Sequence, residues 1–286
     1  MQKNNFGLKD PEYVLAKELI NEEYFVDAIK ILQKLHKNNS SSQALKFELA
    51  LAWATSGIAV DRAEKYFKKL IKDDGRLSDI SRIELARILL CKKNYNEARD
   101  NLEIASKNKK LMLYALSELF YLALREEKYE EAKSLYNIIK YDDNYWTSVR
   151  KTQIETYLNY KLGKIDSNNN FDNYYFGSQL LNYSDDRAIE HIKLHLDEDD
   201  DKQVHSTYLE DTNIEKLYEE SKTRITSINP SVICVVDKYI LDFDKPIGII
   251  KNEETDVVSV VTIPNTYDIL SIYPVYNYKT RVKKRN

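Results

Sequence analysis

The sequence predicts an α-helical solenoid followed by a small α+β domain, two helices and then a four-strand antiparallel sheet. Three observations carry this. An interval of about 35 residues recurs through the first half. A polar stretch, IDSNNNFDN, interrupts the chain near 164–173. Beyond it the apolar residues change from helical spacing to runs rich in β-branched and aromatic side chains.

The recurrence centres on four alanines, Ala28, Ala63, Ala98 and Ala132, in the segments FVDA, VDRA, YNEA and YEEA. Twelve positions before them stand Ala16, Leu51, Ala86 and Phe120, and nine before stand Leu19, Ala54, Leu89 and Ala123. Four after stand Leu32, Phe67, Leu102 and Tyr136, and seven after stand Leu35, Leu70, Ala105 and Ile139. Offsets of three, four and seven keep one face of a helix apolar. Each unit therefore reads as two antiparallel helices, with the small alanine admitting the second helix close to the first. One pair cannot bury its own face, so pairs are expected to stack.

This spacing resembles tetratricopeptide repeats over about residues 10–142. Leu51 and Phe120 depart from the small residue expected early in the first helix, and no proline closes the units, with Ser40, Gly75, Lys110 and Asn144 near that place. The resemblance implies a concave groove for a protein or peptide partner, lined mainly by the first helix of each pair. Lys17, Trp53, Arg87 and Glu118 are the inward-pointing candidates. The stretch 145–163 reads as a capping helix. The expected domains are thus 1–165, the repeats with their cap, and 166–286, an α+β domain ending in a basic tail.

In the second domain Ser184 with Asp185 and Asp186 is a helix start, a hydroxyl cap with carboxylates at the positive dipole end. That helix is expected to reach about Leu196, with Ala188, Ile189, Ile192 and Leu196 in one stripe. TNIEKLYEESKTRITSI is a second helix, stopped by Asn229-Pro230. VICVVDKYILDF, IGIIKN, TDVVSVVTI and DILSIYPV then supply four strands, with KNEET and Pro264-Asn265-Thr266 as turns.

His191 and His195 lie one turn apart beside that stripe. A metal would need a third ligand, from His205 or the aspartates of 197–201, and His-Ile-Lys-Leu-His lacks the glutamate of an H-E-x-x-H site. Acid–base chemistry is the sharper reading, since imidazole titrates near neutrality and serves both proton steps of RNA cleavage without a metal. Cations would come from Lys193, Arg187 or Arg224, and hydroxyls from Thr262, Ser271 or Tyr273. Edge residues of an ordinary packed helix are the plain alternative.

A helix reading A-x-x-H-I-x-x-H, a second helix and a sheet closing on ILSIYPV resemble the barnase–EndoU–colicin–RelE group of metal-independent ribonucleases, over roughly 184–275. The resemblance implies catalysis by His191 and His195 with Ser271 or Tyr273.

Charge tempers this. Residues 1–166 carry 29 Lys/Arg against 25 Asp/Glu, while 167–286 carry 14 against 21. Neither half has the basic excess typical of a general nucleic-acid binder. The tail YKTRVKKRN concentrates five cations, suited to phosphate or an acidic surface. With six glycines and no GxGxxG or GxxxxGK spacing, no nucleotide cofactor is expected. Two distant cysteines, a polar MQKNNFGLKD start and no apolar run near the ~20 residues that span a bilayer predict a cytoplasmic protein. The competing functions are a toxin-like ribonuclease tethered to a partner-binding array, and a non-catalytic adaptor or regulator.

Overall fold

The computed structural model describes residues 10–141, 148–165, 184–193, 196, 206–225, 237–263 and 266–283. By internal packing the chain divides into two compact units, Met1–Ala115 with Asn277–Asn286, and Leu116–Tyr276. Among the described residues no helix is long and apolar enough to cross a membrane.

The first unit opens with α1 (Pro11–Asn21), α2 (Phe25–Asn38), α3 (Gln43–Ser56), α4 (Val60–Lys72), α5 (Ser78–Cys91) and α6 (Tyr95–Ala105). Each packs against the next. Asp10 begins the series, its carboxylate accepting from the Glu12 and Tyr13 amides while Pro11 takes the first helical position. The four recurrent alanines are fully buried, and every other position of the recurrence is buried except Leu51, which is half-buried.

Leu51 has a geometric explanation. The first helix of a pair ends in a left-handed residue at Glu23, Lys93 and Glu127, with φ of 64°, 58° and 58°. In each case the following amide reaches back five residues, Tyr24 to Leu19, Asn94 to Leu89 and Lys128 to Ala123. This is a Schellman-type turn. In the second pair the left-handed residue is Gly57, φ 70°, and it lies six positions before the alanine instead of five. The longer turn shifts α3 by one residue. Ala50, not Leu51, fills the small-residue place, and Trp53 falls in register with Leu19 and Leu89.

The C-terminal segment belongs to this unit. Tyr278 sets its ring edge-on to Phe25 at 5.1 Å and donates its hydroxyl to Glu23 at 3.1 Å. Arg281 donates to the Glu22 carbonyl at 2.8 Å, and Lys283 pairs with Glu22 at 2.6 Å.

The second unit takes in most of α7 (Met112–Arg125), α8 (Tyr129–Ile139) and α9 (Ser148–Lys161). Phe120 and Tyr136 meet with ring centroids 5.9 Å apart, and the Tyr136 hydroxyl donates to the Lys151 carbonyl, joining α8 to α9. Then come α10 (Asp185–Lys193), β1 (Ser206–Tyr208), α11 (Ile214–Arg224), β2 (Asp237–Asp242), β3 (Gly248–Ile250), β4 (Glu253–Thr255), β5 (Val257–Thr262) and β6 (Ile269–Pro274).

The strands pair antiparallel, but in two three-stranded sheets, β1-β3-β4 and β2-β5-β6, instead of one four-strand meander. Two features of the chain produce this. Lys251 and Asn252 both have positive φ, 47° and 67°, the geometry of a two-residue type I′ hairpin, so KNEET holds both a turn and the strand β4. The short strand β1 falls between the two helices and pairs with β3. Gly248 permits this pairing, because a Cβ there would collide with the Thr207 carbonyl and the Pro274 ring. In the other sheet β5 is central and buried along its whole length.

Candidate functional site

α10 is held by its charged edge. Asp185 accepts from the Tyr218 hydroxyl and the Lys222 ammonium, both at 2.8 Å, and Lys193 pairs with Glu215 of α11 at 2.5 Å. Ala188 and Ile192 are buried. The helix ends at Lys193, and Leu196 is 39% exposed, so the apolar stripe stops one turn short of the expected end. His191 is half-buried on this helix. His195, His205 and the aspartates of 197–201 lie outside the described residues. Among the described residues no three His, Cys, Asp or Glu side chains cluster as metal ligands would.

α10 packs against β6, which carries Ser271 and Tyr273. Alternation along the strand puts both on one face. Ser271 is 8% exposed and its hydroxyl has no hydrogen-bond partner among the described residues. Tyr273 accepts from Lys238 of β2 at 2.9 Å, and that ammonium lies 5.6 Å from its ring centre. The register accounts for the pair: Lys238 opposes Val261 and Ser271 opposes Val261 from the other side, while Tyr273 is one row along, opposite Ser259. The hydroxyl of Thr262 is buried without a partner. Arg224 is engaged elsewhere, pairing with Glu220 at 2.8 Å, donating to the Asp242 carbonyl and lying 4.5 Å over the Phe243 ring.

In the helical units Lys17 pairs with Glu48 at 2.8 Å, and the Tyr13 hydroxyl donates to the same carboxylate at 3.1 Å. Burial, then the Glu48 charge and hydrogen bond, pushes the Tyr13 phenol up to about 12. Arg87 pairs with Glu84 at 3.3 Å and donates to the Tyr114 oxygen, while Tyr114 donates to Glu84 at 2.9 Å. Glu118, in the second unit, is 2% exposed.

Trp53 is 4% exposed and faces its neighbouring helices, not a surface of first helices alone. It floors a pocket of about 500 Å³ with Leu49, walled by Gln33, His36 and Lys37 of α2 and by Arg62 and Tyr66 of α4. The Tyr66 ring stands edge-on to both Trp53, at 5.2 Å, and His36, at 5.7 Å. The Arg62 guanidinium lies 6.0 Å from the Trp53 ring centre. His36 Nδ1 is buried with no hydrogen-bond partner. Burial first, then the Lys46 and Lys69 charges, holds its imidazole below the usual 6.5.

Sequence reasoning passes over His36, Arg62 and Tyr66. One signal was available: eight places after the recurrent alanine, the other units carry Ile71, Ser106 and Lys140 where this one carries a histidine. No protein-family model matches the chain, and no curated protein matches it either, so its assignment rests on its own residues.

Proposed function

We propose that the helical region is a tetratricopeptide-like solenoid whose work is to bind a protein or peptide. The observation that carries this reading is the recurrence of one turn geometry, at Glu23, Lys93 and Glu127, together with the packing of each helix from α1 to α6 on the next. Units of one shape, each packing on the next, generate an extended surface rather than an enclosed reaction centre. Lys17, Trp53 and Arg87, all in the first unit, are the proposed groove residues, and two cysteines far apart in the sequence suit a cytoplasmic setting. Selection of peptides from a random library on the full chain tests it. Lys17→Ala and Arg87→Ala are expected to weaken the selected peptides by about tenfold, as loss of a charged hydrogen bond does. Selection of no sequence class would remove the reading.

A second reading is favoured by one contact. The helix bearing His191 packs against the strand bearing Ser271 and Tyr273, the adjacency a metal-independent endoribonuclease of toxin-like type requires. In this reading His191 and His195 exchange protons with the 2′-hydroxyl and the leaving oxygen, and Tyr273 with Lys238 steadies phosphate charge. The experiment is cleavage of labelled RNA in chelator, with His191→Ala, His195→Ala and Tyr273→Phe beside the wild type. Cleavage that survives both histidine changes eliminates it, and an adaptor role then stands.

A further inference from the structure

We propose that the pocket between α2, α3 and α4 binds a small planar anion, an aromatic ring carrying a phosphate or a carboxylate. The site goes beyond partner binding and rests on none of the groove residues except Trp53.

The charge argument comes first. Several lysines of the first unit are paired with carboxylates: Lys17 with Glu48, Lys34 with Glu12, Lys68 with Glu64, and Lys92 with Asp61 and Glu64. Lys37 and Arg62 have no carboxylate partner among the described residues, and no acidic residue lines the walls. Lys69 adds positive potential, whereas Lys46 is itself paired with Asp73 at 3.7 Å. Two exposed cations at the rim of an apolar-floored pocket, with no carboxylate in its lining, attract an anion to it.

Shape selects the rest. Trp53 and Tyr66 meet edge-on, as do Tyr66 and His36, so the three rings give the pocket one continuous aromatic side. A flat ring fills such a space by offset or edge-on contact. The volume falls in the 300–1,000 Å³ range of small-ligand sites. His36 Nδ1, buried and unpartnered, supplies a polar group for the ring's edge. An extended peptide is the poorer fit, because the set occurs once: the counterparts of Tyr66 are Ile31, Asn101 and Leu135, and those of His36 are Ile71, Ser106 and Lys140.

The test uses the full chain with Trp146→Phe, which leaves Trp53 as the single tryptophan reporter. Adenosine monophosphate and benzoate are titrated by fluorescence, beside adenosine (ring without charge) and inorganic phosphate (charge without ring). At least one ring-bearing anion is expected to bind saturably, and about tenfold more tightly than either half. Whichever of the two wins assigns phosphate or carboxylate. Arg62→Gln and Lys37→Gln change exposed side chains, so each is expected to weaken binding without lowering the melting temperature. Equal binding of adenosine or free phosphate, no saturation at millimolar concentration by either anion, or binding untouched by both variants overturns the proposal. So does tighter binding of an acidic peptide lost in the same variants.

Discussion

Arg281, near the C-terminus, lies 4.1 Å over the ring of Tyr24, in the turn between the first two helices. Its guanidinium also donates to the Glu22 carbonyl, and the Lys283 amide donates to Asp27 at 2.8 Å. The described part of the basic tail, residues 278–283, which the sequence reads as suited to phosphate or an acidic surface, is thus attached to an acidic and aromatic surface of its own chain. Arg281→Ala is expected to cost about 1 kcal/mol through the lost cation–π contact. It should also loosen the segment around the already exposed Lys279 and speed tryptic cleavage there, and added salt should speed cleavage in the wild type. Limited proteolysis with mass spectrometry reads both.

Tyr208 donates its hydroxyl to the Ile272 carbonyl at 2.7 Å, joining β1 of one sheet to β6 of the other. Both residues are buried, and burial raises the phenol's pKa well above 10, so it stays a donor at any working pH. Tyr208→Phe leaves that carbonyl unpaired and should cost about 1–3 kcal/mol in urea unfolding.

Lys93 is exposed with φ 58°, a conformation that an L side chain adopts at a cost near 1 kcal/mol. Lys93→Gly should therefore stabilise the protein by about 1 kcal/mol, against the usual direction of a glycine substitution. Gly57→Ala, at φ 70° with open space around the missing Cβ, should destabilise it by a similar amount. Thermal melts of the two variants should move in opposite directions.

His36 is held below its ordinary value of 6.5 by burial and by Lys46 and Lys69. Above 6.5 both folded and unfolded chains carry it neutral, and it contributes no pH dependence. As pH falls below 6.5 the unfolded chain takes the proton first, so stability declines until the folded imidazole also titrates. Chemical denaturation of the wild type at about pH 7.5 and about pH 5.5 should show this loss, and His36→Gln should show less of it.

Much of the helical region is legible in the letters because burial enforces it. The recurrent alanines and their apolar companions are inaccessible side chains, and a polar residue at any of those places would be costly. The corners are not legible. Glycine or asparagine normally announces a left-handed turn, but here Glu23, Lys93 and Glu127 occupy it, and the one-residue slip at Gly57 moves Ala50 and Trp53 into the places that the recurrence gives to Leu51 and Ala54. In the second unit strand propensity identifies β2, β3, β5 and β6, whereas β1 (STY) and β4 (EET) are three residues each without the β-branched run that marks β3. The candidate sites were legible in part. The closing strand that carries Ser271 and Tyr273 is read from its β-branched and aromatic run. Arg224 attracts attention by its charge alone, and its contacts with Glu220 and Phe243 depend on distant chain that periodicity does not encode.

A shared bend that needs no particular side chain has a consequence for how such a protein changes over generations. Mutation is free to rewrite Glu23, Lys93 or Glu127 while the hairpin keeps its angle, so ancestry fades from the alphabet sooner than from the architecture. A segment cut at two of these corners and grafted elsewhere would carry its own hinge geometry with it.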